Sequence, residues 1–230
     1  MDMVENEKTG LEQKFGKYSD LIEIIAALII GISTIFGAFS AYESSLYDGM
    51  SNENYNKAVA TINAANSEFV YNNQIISEDV MYWMQLNEYK ALSQNPSDPM
   101  SLRYKALAEQ MEEVVPFELI QAIDWADKEN EKNPYKERVV FYNYQNYIDN
   151  LNRYANKLMT KGNDIFTEGQ NYNNLGDKQT LVTVIFAIVL FLGSMTTIVK
   201  RNLIKVIFFI SMVTMFLYST FQMFQVPFIF

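Results

Sequence analysis

Apolar and polar positions divide this chain into three long greasy runs and one long patterned stretch. The runs cover 21–42, 180–199 and 203–223, the last two separated only by Lys200, Arg201 and Asn202. Each is about 20 residues long, and at ~1.5 Å rise per residue such a run crosses a hydrocarbon core of ~30 Å. The second and third contain no Asp or Glu, and their one charge is Lys205, a single turn in, where a long stem can snorkel. Backbone groups in lipid find no water, so all three runs are predicted to be transmembrane helices.

The stretch 43–179 reads differently. From Tyr42 to Asn95 there is no Pro and only Gly49. Apolar residues recur at Ala58, Ile62, Ala65, Phe69, Ile76, Val80 and Trp83, with Asn72 or Asn73 filling the missing step. Alternating threes and fours predict one helix face close to a heptad repeat. Asn95-Pro96-Ser97-Asp98-Pro99 should stop that helix. A shorter amphipathic helix is expected over 100–115, and Pro116 should start another running to about 128. Asn133-Pro134 reads as a restart, followed from 135 to about 168 by a second stripe: Phe141, Tyr144, Ile148, Leu151, Ala155, Leu158, Gly162 and Ile165. Two long helices with facing apolar seams predict an antiparallel, coiled-coil-like hairpin.

The fold class read from the sequence is therefore all-α and integral to a membrane. Its expected order is a polar tail (1–20), span one (21–42), a helical domain (43–179), span two (180–199), a basic turn (200–202), span three (203–223) and a short tail (224–230). Lys8, Lys14, Lys17, Lys200, Arg201 and Lys205 lie near the membrane on one side, against Lys57, Lys161 and Lys178 on the other. That bias predicts a plasma-membrane protein with a cytoplasmic N-terminus and an extracytoplasmic domain. The leader of residues 1–20 carries three Lys against five acidic residues, and the apolar run after it is long, which argues against a cleaved signal peptide.

Two features of span one carry two readings each. Glu23 is either an intramembrane carboxylate or, with Asp20 at the N-cap, the third-position member of a capping box; the capping box is the expectation. Small residues recur every fourth position at Ser33, Gly37, Ala41 and Ser45, with Ala27 and Gly31 on another face. Such stripes, with Gly31, Ser33, Gly37 and Ala41 as the packing candidates, bring helices close in lipid. They fit packing among the spans of one chain, or a seam between copies.

Composition removes several chemistries. Without Cys or His there is no thiolate nucleophile, no usual zinc or haem site and no Ser-His-Asp triad. A net charge of −9, with no Lys/Arg cluster outside the basic turn, argues against nucleic acid. The cluster Glu109, Glu112 and Glu113 reads as a solvated helix face, since no calcium-loop pattern surrounds it. No cofactor, metal or catalytic residue is expected, and the chain is read as non-enzymatic.

Two segments should meet where the spans leave the membrane. Glu43-Ser44-Ser45-Leu46-Tyr47-Asp48-Gly49 and Tyr172-Asn173-Asn174-Leu175-Gly176-Asp177-Lys178 each pair a Tyr with an Asp and with a Gly able to break or hinge a helix. Glu43, Tyr47, Asp48, Gly49, Tyr172 and Asp177 form the candidate functional cluster. Ala41-Tyr42 running into Glu43 through Gly49, and Gly176-Asp177-Lys178 running into Leu181-Val182-Thr183-Val184-Ile185-Phe186-Ala187, resemble a widespread family of uncharacterised prokaryotic three-span membrane proteins, in which Trp usually stands at the position of Tyr47. Leu86-Asn87-Glu88-Tyr89 fits the same pattern more loosely. The resemblance implies architecture and no chemistry. The partners expected are membrane lipid and either further copies of the chain, in a homo-oligomeric assembly or scaffold, or an unidentified membrane protein to which it is an accessory or sensor subunit. A cation-selective pore with an acidic mouth of Glu43, Asp48 and Asp177 is a further alternative.

Overall fold

A computed structural model describes residues 18–132 and 137–229. Helix α1 is Ser19–Ser93, α2 is Ser101–Val114, α3 is Phe117–Lys132, α4 is Gln145–Ile198 and α5 is Asn202–Gln225, with a 3-10 turn at Phe141–Asn143. There is no strand among the described residues. Three helices, α1, α4 and α5, are long and apolar enough to cross a membrane. The chain divides into two compact units. One comprises the described residues up to Asn56 and from Ile165 onward, the other Lys57–Asp164.

In the first unit α1, α4 and α5 pack around Phe36, Phe186 and Phe216, one ring from each helix. Phe36 stacks on Phe216 with centroids 6.4 Å apart, and Phe186 meets Phe36 edge-on at 5.9 Å. Farther along, Ala26, Val189 and Met212 form a second core. Gly193 makes room there: a Cβ at that position would lie 2.5 Å from Ile30 Cγ1 and 3.2 Å from the Met212 sulfur, so Ile30 would have to shift. Large apolar side chains such as Leu28, Ile35, Phe191, Ile207 and Leu217 face outward. A water-exposed helix would hide such residues, whereas lipid accepts them.

The second unit closes on Leu119, Ala122, Ile123, Phe141 and Tyr147, with Ile76, Val80, Trp83, Ile148 and Leu151 packed against them. Asn72 fills the polar step in the α1 stripe: its Nδ2 donates to the Leu151 carbonyl at 2.9 Å and to Asn152 Oδ1 at 3.0 Å. That ties α1 to α4 in one register. The Tyr147 hydroxyl donates to the Asp79 carboxylate. Burial, and then the bond to Asp79 and its charge, push the Tyr147 hydroxyl well above its ordinary range. Between α1 and α2, Asn95 Oδ1 accepts from Ser97 N–H and Asp98 Oδ1 from Met100 N–H, so the Pro-rich stop is built on side-chain turns.

Four sequence expectations are corrected. The second long helix begins at Gln145, not near 135; Asn133-Pro134 lies outside the described residues. Asn130 explains the delay. Its amide both donates to and accepts from the Val139 backbone at 2.8 Å, holding the segment before the 3-10 turn outside any helix and delivering Phe141 to the core. Next, Gly49 and Gly176 neither break nor hinge a helix, and no described Gly has positive φ.

The capping box also fails. Ile22 N–H already bonds the Tyr18 carbonyl, so the helix starts before Asp20, and Glu23 instead pairs with Lys205 at 2.5 Å. Lys205 does not snorkel outward: it is 6% exposed, and its Nζ also donates to Ser19 Oγ at 2.9 Å.

Candidate functional site

The site grows from a close crossing of α1 and α4 in the first unit. The buried small residues of α1 there recur by sevens, at Ala26, Ser33 and Ser40 and again at Ser44 and Ser51. Seven residues turn an α-helix only about 20° away from whole turns, so these positions stay on one seam. Steps of four each advance about 40°, and three of them wind about 120° around the helix. This is why the stripe Ser33, Gly37, Ala41 and Ser45 does not form one interface. Ser33 is buried and Gly37 lies against Phe186, while Gly31 and Ala41 are exposed.

On α4 the matching positions are Gly169 and Gly176. A Cβ on Gly176 would come 2.7 Å from Asp48 Oδ1 and 3.4 Å from Tyr47 Cβ; one on Gly169 would come 2.9 Å from the Tyr55 ring. Both glycines serve contact with a neighbouring helix rather than backbone freedom. Ser44 Oγ locks the register, lying 3.0 Å from the Gly176 carbonyl and 2.7 Å from Thr180 Oγ1.

The segment after α5 folds over this crossing. The Tyr47 hydroxyl donates to the Pro227 carbonyl, the Ile229 N–H donates to Glu43 Oε2 at 3.2 Å, and Phe228 meets Phe39 edge-on at 5.3 Å. Tyr47 is 3% exposed and Glu43 0%. Burial, and after it the nearby Glu43 and Tyr172, raise the Tyr47 hydroxyl above its usual value. The Tyr172 ring lies 6.3 Å from that of Tyr47.

On the turns of α1 and α4 that flank the Ser44–Thr180 contact, several polar atoms are sealed from solvent without partners among the described residues. They are Glu43 Oε1, Ser40 Oγ and both amide atoms of Gln179, a residue with 0% exposure. Glu43 forms no ion pair among the described residues. Buried polar groups nearly always find a partner, so four such atoms on adjacent turns are unusual.

Of the six cluster residues expected from sequence, Glu43, Tyr47 and Tyr172 come together at this crossing, and Asp48 lies against Gly176 at its edge. Gly49 is exposed with open space around it, and Asp177 is exposed, accepting from Asn173 Nδ2 at 3.1 Å. Ser40, Ser44, Gln179, Thr180 and the 226–229 segment belong to the site and were not among those six. The seven-residue spacing of Ser33, Ser40 and Tyr47 against that of Gly162, Gly169 and Gly176 was the available signal. No family profile, curated protein or solved structure matches this chain.

Proposed function

We infer that this chain is a membrane scaffold that assembles with copies of itself through α1, acting by contact rather than catalysis. One observation carries the reading. Ala27, Gly31, Thr34, Ala38, Ala41 and Ser45 are all exposed, spaced by alternating fours and threes. They make a second seam of small residues, separate from the one used inside the first unit. Lipid supplies no hydrophobic drive between helices, so association rests on close backbone approach, which small side chains permit. Large exposed residues such as Ile24, Leu28, Ile35 and Tyr42 flank that seam and would pack beside it.

The same reading places the chain in the plasma membrane with its N-terminus and the 200–202 turn in the cytoplasm, supported by the excess of Lys and Arg on that side. Particle mass in mild detergent tests the assembly. A Cβ at Gly31 meets nothing within 4 Å in the single chain, so G31L leaves the fold intact. Wild type should run as a fixed multiple of the chain, and G31L combined with A38L should run as the monomer with unchanged helical content. A wild-type monomer at every concentration overturns the proposal, and a stable complex with a different protein in its place favours the accessory-subunit reading.

A further inference from the structure

Glu43 is a carboxyl residue with 0% exposure, one oxygen on a backbone N–H and the other without a partner among the described residues. Burying a carboxylate without compensation is strongly unfavourable, so something positive belongs beside it. No described basic side chain pairs with it. Water alone would satisfy the hydrogen bonds of the neighbouring orphans but would leave the charge.

We propose that Glu43 Oε1, Gln179 Oε1 and Ser40 Oγ bind one small monovalent cation beneath the 226–229 segment. The Ser44 bonds to Gly176 and Thr180 set α1 against α4 in register, and Glu43 and Gln179 immediately precede Ser44 and Thr180 on the two helices. Ser40 stands one turn before Ser44 on the α1 seam, also at 0% exposure. The unpartnered atoms include a carboxylate, an amide and a hydroxyl oxygen, and hard cations take such oxygen donors. Charge decides the valence. Glu43 supplies the one carboxylate among these three donors, and a single carboxylate balances one positive charge.

The site is closed by named contacts. Tyr47 holds the Pro227 carbonyl, Ile229 N–H caps Glu43 Oε2, Phe228 covers Phe39, and Val226 is 3% exposed. Entry of an ion therefore requires this segment to lift, and occupancy should hold it down. The proposal does not depend on self-assembly and is read by a different measurement.

Radiolabelled Na+ is the probe, used with the full chain in detergent or nanodiscs and choline maintaining ionic strength. Wild type should bind one Na+ per chain saturably. At about a hundred times the dissociation constant, Na+ in place of choline should raise the unfolding temperature by roughly 5 °C or more. E43Q and Q179L should each weaken binding at least tenfold, S40A less, and E109Q on the exposed face of α2 not at all. Should E43Q or Q179L fail to fold, S40A and the wild-type titration still decide. Absence of saturable Na+ binding in wild type overturns the proposal, as does wild-type affinity in Q179L. A higher melting temperature for E43Q with no Na+ response in wild type assigns the compensating charge to a proton instead, and overturns it equally.

Discussion

Helix α1 carries an acidic residue near each end of its apolar run, and the two are handled in opposite ways. Glu23 meets Lys205 of α5, with Ser19 Oγ taking another of the ammonium hydrogens, and its side chain keeps 43% exposure. Glu43 is wholly enclosed and has a backbone N–H but no cationic side chain among the described residues. Charge is thus matched within the chain where water is close, and left open where water is excluded. Since burial raises the cost of an unmatched charge, the second arrangement is the expensive one, and it marks that end of the bundle as a place where something else is held.

Breaking the matched end should have the largest effect. K205A leaves Glu23 facing a helix bundle alone. Because Glu23 is partly exposed, the loss is set below that of a fully buried pair, at about 2–3 kcal/mol. Denaturant titration in detergent measures it, and the double variant E23Q/K205M should recover most of the loss. An unchanged midpoint for K205A would show that the pair contributes nothing.

A smaller effect is expected from loosening the unmatched end. Y47F removes the donor to the Pro227 carbonyl and should cost about 1 kcal/mol. Amide exchange at 226–229 should speed up while the Lys205 end stays protected. The variant also has a pH signature. The Tyr47 hydroxyl is held above its usual value by burial, Glu43 and Tyr172, so it contributes stability that is complete below about pH 10 and lost as pH rises through its folded value. Wild type should therefore lose stability on the alkaline side more steeply than Y47F, and identical alkaline limbs would contradict the assignment. Least of all, D177N alters an exposed carboxylate beside the same crossing and should change stability by less than about 0.5 kcal/mol. A larger shift in melting temperature would bring Asp177 into the site after all.

How legible these features were depends on the kind of signal each left. Greasy runs of bilayer length and Pro-rich stops act locally, so the all-helical order and the breaks at 95–99 and near Pro116 could be read directly. Asn72 was half visible: the stripe required a residue at that step, but only the Leu151 carbonyl across the seam shows why an amide serves there. Glu23 was misread because its partner lies 182 residues away and local capping rules cannot see Lys205. Gly176 was misread for a related reason. A glycine looks the same in sequence whether it frees its own backbone or makes room for another, and here it makes room. Tyr47 and Glu43 were among the six named from sequence and lie at the crossing of α1 and α4, while Gln179 passed as an ordinary residue at the start of an apolar run.

Gly193 constrains how this bundle can vary. It sits where Ile30 from α1 and Met212 from α5 already fill the space that any side chain would need. A side chain there requires Ile30 or Met212 to shift, and bulk gained at either of those crowds the same point. The three helices are therefore bound to one another as a lineage as well as a structure: none can drift far unless the others drift with it.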